Sequence, residues 1–441
     1  GHAIVYANLN NNGNYIAVNE TQLNIDLLWI YLCSGLVFIM QAGFLCLEIG
    51  VTRRKNSINL AIKNLVDFCL SAVVFWVVGF GLMYGATSGG WLGSSGFARD
   101  FTASECYLGG FFLFQLMFCG TAVTIMSGAV AERMRISSYL LITLLVSALI
   151  YPVFGHWAWS GRSSGNAYGW LKEAGFVDFA GATVVHSVGG WVALAVLLII
   201  GPRLGRFAAD GTPNRIHPSN LALSTLGAIF LFMGWLGFNG GSTLAFDQRV
   251  PGILINTVLS GSIGAISAGM LGYAVSGRLN VILFFNGCLG GLVAITASCF
   301  AVSTPVAALI GAVGGMIIVG VESMLRHLEI DDAVGAIPVH LGAGVWGTLA
   351  VGLYGDLNLL GTGLTRLEQI GVQVMGIVTC GLWAFGVAFT ALTLLNRAYP
   401  LRVPAEHERI GLNLSEHDEQ EDYEVPARVP ASTTASTLAY P

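Results

Sequence analysis

The sequence contains one phrase twice, DFAGATVVHSVGG at residues 178–190 and DAVGAIPVHLGAG at residues 332–344. Both copies fit the pattern D-x-x-G-A-x-x-V-H-x-x-x-G, and each leads into a long apolar stretch. Each therefore places one histidine, His186 or His340, inside a predicted membrane-spanning helix. Because an ionisable side chain in the membrane interior costs free energy, such residues usually mark the path of a substrate or an ion. The repeat predicts a transport protein.

The composition favours the same class. Of 441 residues, 54% are hydrophobic and only 10% are charged, and the mean hydropathy is +0.71. Soluble domains contain about 25% charged residues, and one membrane crossing takes about 20 mostly apolar residues. Apolar stretches predict eleven such helices, near residues 26–48, 61–85, 107–131, 137–159, 181–201, 219–239, 252–276, 279–298, 305–324, 335–354 and 370–395. We therefore expect an all-α polytopic membrane protein.

The distribution of Lys and Arg predicts the orientation, because cytoplasmic loops carry the excess of positive charge. Of the 20 basic residues, the loops on one side of the predicted bundle hold only Arg99, Arg162, Lys172, Arg249 and Arg366. The other side is then cytoplasmic, with the N-terminus outside and the C-terminus inside. The chain divides into a polar extracellular segment (1–24), a membrane domain of eleven helices (25–396) and a cytoplasmic tail or linker (397–441).

The two copies of the phrase open the fifth and the tenth predicted helices. An odd separation makes them point in opposite directions, so we expect two five-helix halves in inverted repeat plus an eleventh helix. In each copy the histidine follows the aspartate by eight residues, about 12 Å along a helix. Entering from opposite faces of a core about 30 Å thick, the two histidines are expected to meet near the midplane. Pro338 predicts a kink just before His340.

The histidine pair has several interpretations. A single histidine in a helix bundle is most often a neutral residue bonded to a backbone carbonyl, but duplication in an inverted repeat favours a role in passage. Zinc needs at least a third ligand, and no Cys, Asp or Glu lies three or four residues from either histidine; we expect no metal. Without a nucleophile nearby we expect no enzyme, and nothing indicates a cofactor or a nucleic-acid partner. A neutral imidazole offers one donor and one acceptor, which suits a small species that does both.

Longer segments resemble the ammonium transporter (Amt/Mep/Rh) family, and specifically its Amt branch. The resemblance covers residues 26–417 in order. It is carried by AGFLCLEIGVTRRKNSINLAIKNLVDF (42–68), FQLMFCGTAVTIMSGAVAERM (114–134), YPVFGHWAW (151–159), GPRLGR (201–206), GWLGFNGGS (234–242), INTVLS (255–260) and the two copies of the repeated phrase.

The resemblance implies ammonium transport across the cell (plasma or inner) membrane by a multi-pass homotrimer. It implies that ammonium is recruited outside, deprotonated, and passed as ammonia through a pore. The residues that match the family's functional positions are Phe118, Trp159, Ser242 and Asp178 for external ammonium binding, Phe118 and Phe238 for the gate at the pore mouth, and His186 and His340 for the pore lining.

The tail departs from the family pattern. The family signature has the form G-L-D-x-S-x-H-G-E, whereas this chain reads GLNLSEHDE, with Asn413 and Asp418 in place of Asp and Gly. In the family this tail packs on the cytoplasmic face, where a PII-type regulator can dock. Losing a glycine that permits positive φ puts that regulation in question. Some family members are ammonium sensors fused through this tail to a kinase or cyclase output domain, and the sequence leaves that alternative to transport open.

Overall fold

The protein is almost entirely helical in the computed structural model, which describes residues 7–9, 15–17, 20–87, 89–161 and 168–419. Within these residues ten helices are long and apolar enough to cross a membrane. One further helix, α8, is apolar but shorter. In chain order these helices are α1 (Glu20–Val51), α2 (Arg54–Tyr84), α3 (Ala103–Ala129), α4 (Ile136–Trp159), α5 (Ala182–Ile200), α6 (Leu221–Gly241), α7 (Val250–Ser276), α8 (Val281–Thr296), α9 (Thr304–His327), α10 (Ile337–Tyr354) and α11 (Arg366–Ala398).

The predicted polytopic all-α fold is confirmed, and each of the eleven predicted segments coincides with one helix. The α8 helix has 16 residues, about 24 Å at 1.5 Å per residue, which is short of the hydrocarbon thickness. The count of eleven crossings, the orientation and the three-part division of the chain stay predictions.

The segments outside the bundle are short. Two strands, β1 (Ala7–Leu9) and β2 (Tyr15–Ala17), pair antiparallel within the predicted N-terminal segment, and α1 begins before its predicted start, at Glu20. The tail contains α12 (Ala405–Ile410) and α13 (Leu412–His417). Arg162 and the predicted linker beyond residue 419 lie outside the described residues.

Glycines allow the close helix contacts that position the pore. Helices α1 and α6 cross where Gly43 faces Gly227, and a methyl group at Gly227 would lie 2.4 Å from the backbone nitrogen of Leu47. Membrane helices pack without a hydrophobic drive between protein and lipid, so small residues at crossings set how near the backbones come. This crossing fixes α1, which carries Phe44, against α6, which carries Trp235 and Phe238.

Candidate functional site

The first copy of the repeated phrase folds as an aspartate cap followed by a glycine turn. The Asp178 carboxylate accepts hydrogen bonds from the backbone N–H groups of Gly181 and Ala182 at 2.9 Å each, and from those of Thr183 at 2.8 Å and Val184 at 2.9 Å. Asp178 thus lies outside α5 and folds back onto its first turn. The expected 12 Å rise along one continuous helix is wrong, because the chain turns at Gly181, whose φ is 106°.

The second copy repeats this arrangement at the start of α10. Asp332 accepts hydrogen bonds from the backbone N–H groups of Val334 at 3.3 Å, Gly335 at 3.0 Å and Ile337 at 2.6 Å. Gly335 has φ of 85°, a left-handed conformation that glycine adopts without steric cost. In both copies the Asp and the Gly therefore form the same local structure, a turn after which the helix begins and runs into the bundle.

Both histidines lie in π-helical turns, Ala182–Ser187 in α5 and Ile337–Gly342 in α10. The sequence predicted a kink at Pro338, and the structure has a wider turn with i→i+5 hydrogen bonds at this position. Such turns are rare and frequently occur at functional sites. Here they bring the two imidazole rings together.

The structure brings the two histidines into direct contact. Nδ1 of His186 lies 3.1 Å from Nδ1 of His340, and the ring centroids are 5.2 Å apart with the planes 19° from parallel. One Nδ1 must donate and the other accept, so one ring presents a bare Nε2 and the other an Nε2–H. Nε2 of His186 has no hydrogen-bond partner among the described residues. A buried polar atom without a partner requires an explanation.

Aromatic side chains wall the histidines. Trp235 stacks on His186 with ring centroids 5.0 Å apart and planes 14° from parallel, and Phe44 lies 6.1 Å from the His340 ring. The sequence interpretation missed both residues. A signal existed for Trp235, which precedes Phe238 by three residues and so shares its helix face.

Two phenyl rings close one end of this passage. Phe118 on α3 and Phe238 on α6 stack with centroids 4.0 Å apart and planes 18° from parallel, and both are buried. Phe238 also lies 5.3 Å from the ring of His186. The two residues matched to the pore gate therefore form one contact that adjoins the histidine pair.

The residues matched to ammonium binding lie beyond that stack. Trp159 meets Phe118 edge to face at 6.1 Å, and its Nε1 donates a 2.7 Å hydrogen bond to the backbone oxygen of Asp178. Ser242 donates through its hydroxyl to the backbone oxygen of Phe238 at 2.8 Å. Four backbone N–H groups bond to the carboxylate of Asp178, which therefore holds the turn whose backbone oxygen accepts from Trp159.

A cavity of about 520 Å³ lies near the second copy of the phrase, lined by Asp332 and Pro338 together with Arg206, Arg215 and Arg278. The three arginines come from the loop between α5 and α6 and from the segment that follows α7. The cavity reaches Pro338, two residues from His340, on the side that the sequence predicts to be cytoplasmic.

Beside this cavity a buried ion-pair network joins distant parts of the chain. Arg203 donates to Asp331 from Nε at 2.7 Å and from Nη2 at 2.9 Å, and its Nη1 donates to Glu132 at 3.0 Å. Burial alone would raise the pKa of Asp331, but the hydrogen bonds and charge of Arg203, helped by Arg133, hold that pKa well below its usual range. Burial lowers the pKa of Arg133 to about 10.

The altered tail packs against the start of α2, on the face that the sequence predicts to be cytoplasmic. Oδ1 of Asn413 accepts from the backbone N–H groups of Ile58 at 2.9 Å and Asn59 at 3.1 Å, at the start of the α-helical part of α2. Asp418 has φ of 54°, so the position does need the left-handed conformation, and aspartate adopts it at a modest cost. The two replacements in the signature are therefore compatible with a packed tail.

These features define a class: a polytopic helical membrane transport protein whose buried passage suits a small polar species. The sequence profile of the Ammonium Transporter Family matches residues 28–422. The chain belongs to that family.

Individual relatives agree. A putative ammonium transporter of Synechocystis sp. is 54% identical over 398 residues, which covers 89% of this chain and 73% of that protein. Ammonium transporter Amt2 of Archaeoglobus fulgidus is 39% identical over 430 residues, covering 92% and 90%. A solved Sensor Amt Protein superposes with a TM-score of 0.88 at 41% identity, covering 91% of this chain and 100% of that chain. Candida albicans Mep2 gives 0.79 at 26% identity, with 87% of each chain covered.

Proposed function

We propose that this protein transports ammonium across the cell membrane by binding the ion at an external aromatic site, deprotonating it and passing ammonia between the twin histidines. The observation that carries the mechanism is the buried Nε2 of His186, which has no hydrogen-bond partner among the described residues and lies against the ring of Trp235. Membership of the Ammonium Transporter Family supports the substrate.

The passage favours the neutral form of the substrate. Its walls are the rings of Trp235, Phe44 and the stacked phenyl pair, which give a desolvated cation no oxygen ligands. Moving an unpaired charge into such surroundings is far more costly than moving a neutral polar molecule. Ammonia has N–H donors and one lone pair, and the paired imidazoles present one acceptor and one donor from their Nε2 atoms. The hydrogen-bond donors and acceptor of ammonia therefore match those of the histidine pair.

Recruitment of the cation uses the outer aromatic residues. The rings of Trp159 and Phe118 lie edge to face with their centroids 6.1 Å apart. A cation over the face of an aromatic ring gains about 0.5–2 kcal/mol. The buried carboxylate of Asp178 adds long-range attraction without touching the ion, since its oxygens are already bonded to backbone amides. The hydroxyl oxygen of Ser242 supplies an acceptor for one N–H of the ion.

The phenyl pair serves as a gate. At a centroid distance of 4.0 Å the rings of Phe118 and Phe238 are in van der Waals contact, so nothing passes between them until one ring rotates. Side-chain rotations of this kind are small compared with a helix movement. The gate therefore opens briefly and keeps the external water from reaching the histidines.

We extend the proposal to a transporter without enzymatic activity that assembles as a homotrimer. A PII-type regulator, or a kinase or cyclase output domain, would engage the cytoplasmic tail. The sensor alternative would use the same residues of this chain, and the similarity to a solved Sensor Amt Protein supports it. A measurement of ammonium flux distinguishes the two functions, because a transporter carries ammonium and a sensor need only bind it.

The test is an ammonium concentration jump on proteoliposomes that hold the purified protein, with current and internal pH recorded together. Transport predicts a current, a rise in internal pH faster than that of protein-free liposomes, or both, and neither signal after a matched potassium jump. Recording both signals matters, because ammonia that crosses alone moves no charge. Neither signal, with ammonium binding still measurable by calorimetry, would overturn the transport proposal in favour of sensing.

A further inference from the structure

The buried face of α2 is polar, which is the reverse of an ordinary membrane helix. Between Ser57 and Val74 its fully buried residues are Ser57, Asn59, Leu60, Lys63, Asn64, Asp67 and Ser71, and all but Leu60 are polar. An ionisable side chain inside a membrane domain is costly and usually functional. The passage described above uses none of these residues.

Two carboxylates and one ammonium group meet on this face. Oε2 of Glu48, on α1, accepts from Nδ2 of Asn64 at 2.9 Å and from the hydroxyl of Ser127 at 2.8 Å. Lys63 donates from Nζ to the backbone oxygen of Ser127 at 2.8 Å. Glu48 and Lys63 are each 1% exposed, so water does not screen their charges.

Asp67 completes the cluster one turn further into the bundle. The hydroxyl of Tyr139, on α4, donates to Oδ2 of Asp67, and the hydroxyl of Thr124 lies 3.4 Å from Oδ1. Nζ of Lys63 lies 5.0 Å from the centroid of the Tyr139 ring, and its charge interacts with both Glu48 and Asp67. Asp67 is 0% exposed.

The charges of this cluster do not balance. No Lys, Arg or His in the described part of the chain forms a salt bridge with Glu48 or Asp67. The next charged group facing Lys63 is Arg133, whose guanidinium is already bonded to the backbone oxygens of Ala131 and Asp331. Two carboxylates with one ammonium carry one excess negative charge, and one bound proton neutralises it. Burying the uncompensated charge instead would cost several kcal/mol.

We infer that Glu48, Lys63 and Asp67 form a buried proton-binding site, separate from the histidine passage, that holds one exchangeable proton between its two carboxylates. Uptake forms one O–H bond on a carboxylate oxygen and release breaks it, with no electron transfer. The inference deepens the proposed function and rests on it, because an ammonium ion that crosses as ammonia releases a proton and this is a place inside the membrane domain that can hold one.

The site has a route to the cytoplasmic side. Along α2, Lys63 follows Asn59 by one turn, and Nδ2 of Asn59 lies 3.0 Å from Nε2 of His417 in α13. On its other flank Glu48 packs against Gly128, which also contacts Val334 in the lining of the cytoplasmic cavity. The titratable groups around the path are thus Tyr139, Arg133 and His417, on three different elements. Towards the pore, Phe44 stands one turn above Glu48 and adjoins His340.

The experiment is infrared spectroscopy of the carboxylic acid C=O stretch in the purified protein, before and after transfer to heavy water. The wild type should show one protonated carboxyl that Asp67→Asn or Glu48→Gln abolishes, and Lys63→Met should add a second, because removing the ammonium group leaves two charges to neutralise. Asp247→Asn, at an acid paired with Arg249 at 2.6 Å on the surface, is the control and should leave the band unchanged.

The outcomes separate the inference from the proposed function. A band that none of the three cluster variants changes, or one that fails to shift in heavy water, overturns the proton site. Lys63→Met and Asp67→Asn change the band in opposite directions, so loss of fold in one variant leaves the other decisive. Ammonium flux measured on the same wild-type sample tests transport independently: flux with an unaltered band defeats only the inference, and a responsive band without flux defeats only the transport proposal.

Discussion

Replacing Asp178 by asparagine tests how much the hydrogen bonds of its carboxylate to the start of α5 contribute to stability. Each carboxylate oxygen of Asp178 accepts two backbone N–H groups. An asparagine amide has one oxygen, so two of the four N–H groups lose their acceptor in either orientation and face an NH₂ group instead. A buried donor left without a partner costs about 1–3 kcal/mol. Asp178→Asn should therefore destabilise the protein by about 2–6 kcal/mol.

The second copy of the phrase provides the matched control. One oxygen of Asp332 accepts one short hydrogen bond, from the backbone N–H of Ile337 at 2.6 Å, beside a weaker interaction with that of Ala336, so an asparagine that turns its NH₂ group to that side loses one full bond, about 1–3 kcal/mol. Thermal unfolding in detergent, followed by tryptophan fluorescence, should rank wild type above Asp332→Asn and Asp332→Asn above Asp178→Asn. Equal losses, or a larger loss at Asp332, would refute the hydrogen-bond reasoning.

Three further predictions concern the gate, the turn and the ion-pair network. Phe238→Ala removes the stacked ring and should cost about 3–5 kcal/mol in unfolding free energy. Because no ring then has to rotate, it should raise the rate of ammonium flux in the proteoliposome assay; an unchanged rate would contradict the gate. Gly181→Ala places an alanine in a left-handed backbone conformation, which costs about 1–2 kcal/mol, and puts its methyl group 2.7 Å from a valine carbon. It should therefore lower the melting temperature more than Gly205→Ala, where φ is 74° but no atom lies within 4 Å of the added methyl group. Equal shifts in melting temperature would contradict the steric argument. The depressed pKa of Asp331 means that its stabilisation is full above the unfolded-state pKa of about 4 and is lost as the pH falls below it towards the lower folded-state pKa. Asp331→Asn should lower the free energy of unfolding at neutral pH by about 3–5 kcal/mol and should weaken its dependence on pH below about pH 4. An unchanged dependence on pH would show that other carboxylates cause the loss of stability in acid.

The helix positions could be predicted from the sequence, because each crossing is a long apolar run with polar flanks. The predicted segment 252–276 and the observed Val250–Ser276 differ by two residues at one end. The histidine contact was also predictable in outline, since an inverted repeat requires two equivalent residues to approach the same depth.

The local geometry of the site was not predictable in the same way. Nothing in the composition of residues 182–187 distinguishes a π turn from an α turn, and the position of Asp178 outside the helix depends on a left-handed Gly181. The ion pairs of Asp331 join residues more than a hundred positions apart, so no sequence spacing reveals them. The Glu48 cluster was hidden for a related reason: its charges are isolated in two apolar runs, those of α1 and α2, and meet only after the helices pack.

The most direct test of the account is ammonium flux through His186→Ala compared with the wild type, in proteoliposomes matched for folded protein. Loss of the His186 Nε2 removes one hydrogen bond to the passing ammonia, and a bond worth about 1.4 kcal/mol corresponds to a tenfold lower rate. We expect a reduction of about tenfold in flux, while loss of the contact with His340 lowers the unfolding free energy by about 1–3 kcal/mol without unfolding the protein. Wild-type flux in this variant would contradict passage of ammonia along the histidine pair.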